Sequence, residues 1–148
     1  MRTGIAIVVA VGVGVLGLGS VASGAKEPRT VKFSAALNIG QEVPHPKGVA
    51  AGASGHFSAS LSGTSLKWTL SFAHLSGPAT AAHIHMAPRG KSGAVIVPFC
   101  GPCKSPVSGT ATVTAHQISA MEKGQTYVNV HTAKNPNGEI RGQITRAM

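Results

Sequence analysis

Two histidines one residue apart, His83 and His85, have the clearest capacity for chemistry in this sequence. They lie in the stretch GPATAAHIH at 77–85. In an extended strand successive side chains point to opposite faces, so both imidazoles should share one face while Ile84 packs on the other. Because imidazole nitrogen is a common ligand of zinc and copper, the pair could supply part of a metal site.

A third histidine lies far along the chain, in YVNVHT at 127–132. Here the valines make an apolar face, and His131 lies on the opposite one. If the two segments are neighbouring strands, His83, His85 and His131 converge outside the hydrophobic core. The affinity order of the first-row metals then favours copper, with zinc as the alternative. The competing interpretation is that the imidazoles bond loop carbonyls or one another and only order the surface.

The first 25 residues predict a signal peptide. Arg2 supplies the positive end, an apolar stretch follows, and small residues up to Ala25 suit cleavage. We therefore expect a secreted or periplasmic protein with one domain over 26–148 and no stable membrane span after cleavage. The alternative is a retained membrane anchor, because the apolar stretch is nearly long enough to cross a bilayer.

The motif CGPC at 100–103 is the second candidate for chemistry. In an exported protein, Cys100 and Cys103 across a Gly-Pro turn most simply form a local disulfide bond. Two alternatives stay open. A thioredoxin-like redox motif would need to open a helix in a βαβ unit, and copper ligation by the thiols would need a reducing compartment or a chaperone role.

The charge of the chain restricts its partners. Lys and Arg number 13 against four acidic residues, all of them Glu, which gives a formal net charge of +9. This favours an anionic cell-surface polymer or a small anion, although the charge could simply keep an exported domain soluble. Nucleic acid is not expected, because the basic residues are scattered singly and few aromatic side chains are present for stacking. With only four carboxylates, the chain is also poorly suited to glycoside hydrolysis, which uses a pair of them, and to calcium binding, which uses several oxygen ligands.

Alternating hydrophobicity predicts short strands and almost no helix. The clearest strands are 57–61 and 66–72, which should form a hairpin across a Ser-Gly-Thr turn. The remaining predicted elements are strands at 31–38, 80–86, 94–98, 109–115, 126–132 and 139–145, and one helix at 116–124. Seven or eight such strands predict an all-β, antiparallel sandwich of immunoglobulin-like or barrel type with one short helix.

Four motifs together closely resemble the CHRD, or chordin, domain: FSAALN at 33–38, QEVP at 41–44, GPATAAHIH at 77–85 and YVNVHTAKNPNGEIRGQI at 127–144. The resemblance runs from about Val31 to Thr145. It implies an exported protein with an immunoglobulin-like β-sandwich, distantly similar to the Cu/Zn superoxide dismutases. It implies no particular activity, since bacterial-type members are largely uncharacterised and the animal chordins use the domain in an extracellular antagonist of growth factors.

The similarity to the dismutases suggests roles for individual residues. His83 and His85 look like the His-x-His pair that ligates copper there, His131 looks like the later single ligand, and Arg141 resembles the arginine that guides the anion. The strand phase independently places Glu139 and Arg141 on the side of His131, where Glu139 could orient a ligand histidine. The chain has no aspartate and no clear bridging histidine, so the dismutase zinc site is not reproduced.

Three functions remain open at this level. The first is an exported binding module with a copper or zinc site at the three histidines. The second is a copper-dependent, superoxide dismutase-like redox enzyme in which Arg141 and the positive field attract the anion. The third is an extracellular adhesion or matrix module without a metal.

Overall fold

The computed structural model describes residues 29–148, so the signal-peptide prediction for 1–25 lies outside the described residues. The strands are β1 Thr30–Asn38, β2 Ser54–Ser62, β3 Ser65–Ala73, β4 Ala79–Met86, β5 Ala94–Cys100, β6 Val107–Thr112, β7 Thr126–Thr132, β8 Ile140–Gln143 and β9 Thr145–Arg146. A 3-10 turn spans Ile39–Gln41, and the helix α1 spans Ala115–Glu122. No helix in this part of the chain is long and apolar enough to cross a membrane.

The hairpin of β2 and β3 shows how alternation produces the strands. Phe57 and Leu70 face each other across the ladder, and both are fully buried. Their sequence neighbours Ser58 and Thr69 form the next pair and are exposed. The turn between the strands passes through Gly63 at φ 58°, a left-handed conformation that glycine adopts without a steric penalty.

All the strand pairs are antiparallel, and eight strands follow one path in the order β5, β4, β7, β8, β1, β2, β3, β6, with β9 on the side of β1. Phe99 at one end of this path stacks on Trp68 of β3 with ring centroids 4.0 Å apart, and on Phe57 at 5.7 Å. The sheet therefore curls into a nearly closed barrel around the core. The predicted all-β antiparallel fold with one short helix is confirmed.

The helix and the cysteines also agree with the sequence predictions. Thr114 caps α1 by accepting from the backbone N–H of Gln117, whose side chain accepts from the backbone N–H of Thr114. This is a capping box, which satisfies two free donors of the first turn.

Cys100 and Cys103 form a disulfide bond with an S–S distance of 2.04 Å. Neither sulfur is then available as a thiolate ligand.

Strands β7 and β8 are buried on both faces, and this double burial creates the candidate site. On one face, Val128 and Ile140 pack in the apolar core with Ile84 of β4, all three without exposure. The opposite face carries polar side chains, yet every residue of β7 and β8 is buried. Loops close over this face, so it forms a second, polar interior.

Candidate functional site

The polar face of β4, β7 and β8 is called the polar layer below. It consists of two rows of side chains across the three strands: His83, Asn129 and Arg141 in one, and His85, Tyr127 and Gln143 in the next. His131 adjoins them on β7, two residues beyond Asn129. Because the pleat places residues i and i+2 on one face, the register alone brings the predicted histidines together.

The three imidazoles are in close contact. Nδ1 of His83 lies 3.1 Å from Nε2 of His131, and one ring nitrogen of each histidine lies within 4.8 Å of the others. His85 and His131 are each 8 % exposed, and His83 is half-buried. The group is therefore less exposed than the sequence suggested, but its geometry could hold a metal ion. The other four histidines, His45, His56, His74 and His116, are exposed on the surface, as expected.

Two loop carbonyls set the tautomers of the buried pair. Nδ1 of His85 donates to the carbonyl of Gly93 at 2.9 Å, and Nδ1 of His131 donates to the carbonyl of Pro136 at 2.9 Å. A carbonyl can only accept, so both rings carry their proton on Nδ1 and keep a lone pair on Nε2. Among residues 29–148, Nε2 of His85 is buried without a hydrogen-bond partner.

The pKa values keep the rings in the form that binds metals. Burial lowers the pKa of His83 to about 4, and the neighbouring His131 and His85 contribute to the same shift. Burial also lowers the pKa of His85 and that of His131. All three imidazoles are therefore neutral at pH 7, and a neutral imidazole has the free lone pair that a metal ion needs.

Arg141 lies on β8 beside Asn129 and is 1 % exposed. Its guanidinium carbon stacks 3.4 Å from the ring centroid of Tyr127. The Tyr127 ring also stacks on His85, with the two ring centroids 4.9 Å apart and the two planes 8° from parallel. The guanidinium donates to the carbonyls of Lys91 and Pro88 at 2.7 and 3.1 Å. The structure therefore places this predicted anion-guiding residue where it ties the 88–91 turn to the sheet.

Glu139 stabilises the turn that presents the Pro136 carbonyl. Its carboxylate accepts from the backbone N–H and hydroxyl of Ser76, the hydroxyl of Thr132 and the side-chain amide of Asn135. These donors lower the pKa of Glu139 although burial opposes them. Since Nδ1 of His131 is bonded to Pro136, the orienting role predicted for Glu139 would act through this turn and not by direct contact.

Glu42 and Asn129 also belong to this site, although neither was predicted from sequence as a site residue. Glu42 is 3 % exposed, and in the described part of the chain its Oε2 and the Oδ1 of Asn129 have no hydrogen-bond partner. Both side chains crowd Gly138, where an added Cβ would lie 2.9 Å from the Asn129 amide nitrogen. Burial raises the pKa of Glu42 to about 7, although the hydrogen bond from the Val43 N–H and the positive charge of Arg141 act to lower it. Glu42 lies in the QEVP motif of the family resemblance, but hydrophobic alternation does not predict the burial of a loop glutamate.

Glu42 should make stability depend on pH. Its ordinary pKa is 4.5, so between pH 4.5 and 7 the unfolded chain has lost a proton that the folded chain retains, and the free energy of unfolding falls as pH rises. We expect Glu42→Gln to be nearly neutral at pH 5 and to stabilise by about 2 kcal/mol at pH 8. Urea denaturation at both values measures this. The exposed Glu122→Gln is the matched control, and an equal response of the two variants would refute the assignment to Glu42.

The fold and the site together define a small all-β domain with a buried three-histidine group that could hold a metal. The chain belongs to the CHRD domain family, whose model matches residues 33–144. That match includes all three histidines, Glu42, Asn129 and Arg141. No curated protein and no solved structure matches the chain. Similarity to the Cu/Zn superoxide dismutases therefore stays a prediction from sequence.

Proposed function

We propose that this CHRD domain is an exported module that binds one copper ion through His83, His85 and His131. The observation that carries the proposal is the buried Nε2 of His85, which has no partner among the described residues although its ring lies against two other imidazoles. A purely structural role accounts for the Gly93, Pro136 and His83–His131 hydrogen bonds, but it leaves this nitrogen with an uncompensated desolvation cost.

The donor chemistry fits a late first-row ion. The group offers neutral imidazole nitrogens, and two of the three rings are fixed by carbonyl hydrogen bonds of the kind that orient metal-ligating histidines. In the metal-free state the Nδ1–H of His83 donates to Nε2 of His131. If His83 binds the metal through Nδ1, its proton must therefore move to its own Nε2. His83 is the most exposed of the three and is therefore the side from which an ion would enter.

Copper is preferred over zinc for two reasons. Affinity for nitrogen sites peaks at Cu(II) in the divalent series, and within residues 29–148 no carboxylate or thiolate joins this group to add charge. Bound copper would supply a one-electron redox centre. The surrounding residues bind and orient the ion and limit the access of water. The proposal is for binding and not for catalysis, because the Arg141 guanidinium is buried and engaged by two carbonyls and the Gln143 side chain.

The test is a Cu(II) titration against a competing chelator at pH 7.5 and pH 5.5. We expect one equivalent to bind, with nitrogen superhyperfine structure in the electron paramagnetic resonance spectrum. A site of three histidines with ordinary pKa values would bind copper about a thousandfold more weakly at pH 5.5 than at pH 7.5, because protonation of each ring costs about tenfold. Because burial lowers all three pKa values, with that of His83 at about 4, we expect a loss well below a thousandfold.

The matched control is the double variant His45→Gln with His116→Gln, which removes two exposed imidazoles and leaves the buried group intact. It should bind copper as the wild type does. Binding of several equivalents, loss of binding in the control, or a thousandfold pH effect would each show that copper is held by surface histidines. Failure to bind even one equivalent would refute the proposal.

A further inference from the structure

The outer face of β1, β2, β3 and β6 carries a regular array of hydroxyl groups. Its central row consists of Lys32, Ser60, Lys67 and Thr110, one from each strand. The row from Thr30 to Thr112 on one side and the row from Ser34 to Ser108 on the other contain only serine and threonine. These three rows are called the hydroxyl face. Two of its twelve side chains are lysine, ten carry a hydroxyl, and none is buried.

The array repeats with the spacing of the sheet. Neighbouring strands lie about 4.8 Å apart, and alternate residues along a strand about 6.7 Å apart. Lys32 and Lys67 are separated by one strand and thus by about 10 Å. A shallow depression of about 440 Å³ is lined by both lysines and by Ser58, Ser60 and Ser108. The face is therefore a nearly periodic set of donors with two fixed positive charges.

The two charged side chains of the hydroxyl face are both positive. Of the three glutamates in residues 29–148, Glu42 and Glu139 are buried, and only Glu122 on α1 is exposed. No carboxylate belongs to the hydroxyl face, so neither lysine is neutralised there. The ammonium groups can only donate, while the hydroxyls donate and accept. A complementary partner is consequently anionic and rich in acceptor oxygens.

The side chains also restrict the class of polymer. The hydroxyl face has no aromatic side chain on which a base could stack, and no large apolar side chain that could enter a membrane. Trp68 also lines the depression, but its side chain points into the core and is 6 % exposed, and Tyr127 is buried in the polar layer. A polysaccharide with carboxylates combines negative charge with closely spaced hydroxyl and ring oxygens, and the length of a pyranose unit is close to the strand spacing. This matches both features of the face.

We propose that the hydroxyl face is a docking surface for an anionic polysaccharide of the polyuronate class, with Lys32 and Lys67 contacting carboxylates and the serines and threonines contacting sugar oxygens. The face is not part of the polar layer, so this inference does not depend on copper binding. It assigns the anionic partner expected from the net charge to a particular surface.

The experiment measures binding of immobilised protein to alginate, a polyuronate, and to neutral dextran, in a buffer with chelator so that the histidines hold no metal. We expect saturable binding of alginate, weaker binding at high salt, and no binding of dextran. The double variant Lys32→Gln with Lys67→Gln should weaken alginate binding about tenfold. The double variant Lys91→Gln with Lys104→Gln removes the same charge from exposed positions elsewhere and should change it less than about twofold.

A second variant separates hydroxyl contacts from charge. Ser58→Ala with Thr69→Ala alters two neighbouring positions of the face without changing the net charge, and we expect a threefold to fivefold loss. Equal losses in the two lysine pairs would show that only net charge matters and would overturn the proposal, as would the absence of saturable alginate binding. Stronger binding of polyphosphate than of alginate would replace the polysaccharide by a phosphate polymer.

Discussion

Replacement of His131 by glutamine is expected to lower the affinity for Cu(II) by about a thousandfold while the domain stays folded. Loss of an outer hydrogen bond to a ligand costs about 10-fold to 100-fold in metal affinity, and removal of the ligand itself should cost more. Glutamine has no N–H at the position of Nδ1, so the Pro136 carbonyl loses the donor that His131 provides. The local turn should nevertheless persist, because the Glu139 carboxylate still accepts from Thr132 and Asn135.

Chelator competition gives the affinity, and the nitrogen superhyperfine pattern should change from three coupled nitrogens to two. The matched control is His116→Gln at an exposed position on α1, for which we expect no change. This variant is informative because His131 comes from a different strand than His83 and His85. If His131→Gln binds copper as the wild type does, the His-x-His pair acts alone, and the three-histidine site is wrong.

Replacement of Arg141 by methionine is expected to destabilise the domain by about 3–4 kcal/mol, the largest effect on stability that we expect from a side chain in the polar layer. Methionine has a similar length but no donors, so the carbonyls of Lys91 and Pro88 lose their buried partner. The stacking of the guanidinium on Tyr127 is lost as well. The midpoint of urea denaturation measures the change.

Arg146→Met is the control, because Arg146 is exposed on β9, and its replacement should change the free energy of unfolding by less than about 0.5 kcal/mol. The comparison also tests the anion-guiding role predicted for Arg141 from sequence. If Arg141→Met is as stable as the wild type and only slows the reaction of copper-loaded protein with superoxide, Arg141 serves the site electrostatically and not as a structural tie.

Much of the fold was accessible from sequence because the strands obey simple alternation. Leu66, Trp68 and Leu70 are buried on one side of β3, as the pattern predicted. The capped helix ends close to where Gly124 predicted a stop, and Gly124 adopts a φ of 66°. Strand phase predicted that His83, His85 and His131 lie on polar faces. Their grouping also required β4 and β7 to pair, which strand phase does not determine.

The second interior was not predictable in the same way. Alternation of apolar and polar residues in YVNVHT indicates one buried face and one solvated face, yet all seven residues of β7 are buried. The difference arises from loops that fold back over the polar side chains, as shown by the contacts of Arg141 with Lys91 and of His131 with Pro136. Such contacts join residues distant in sequence, and periodicity carries no information about them.

Burial on both sides also changes how the strands should respond to mutation during evolution. In β2 and β3 about every second residue is buried, so positions that accept substitutions should alternate with positions that do not. Along β7 and β8 each position is enclosed, and replacements should be purged continuously from one end of the strand to the other. Constraint in this protein should therefore be densest where the hydropathy pattern alone would allow variation.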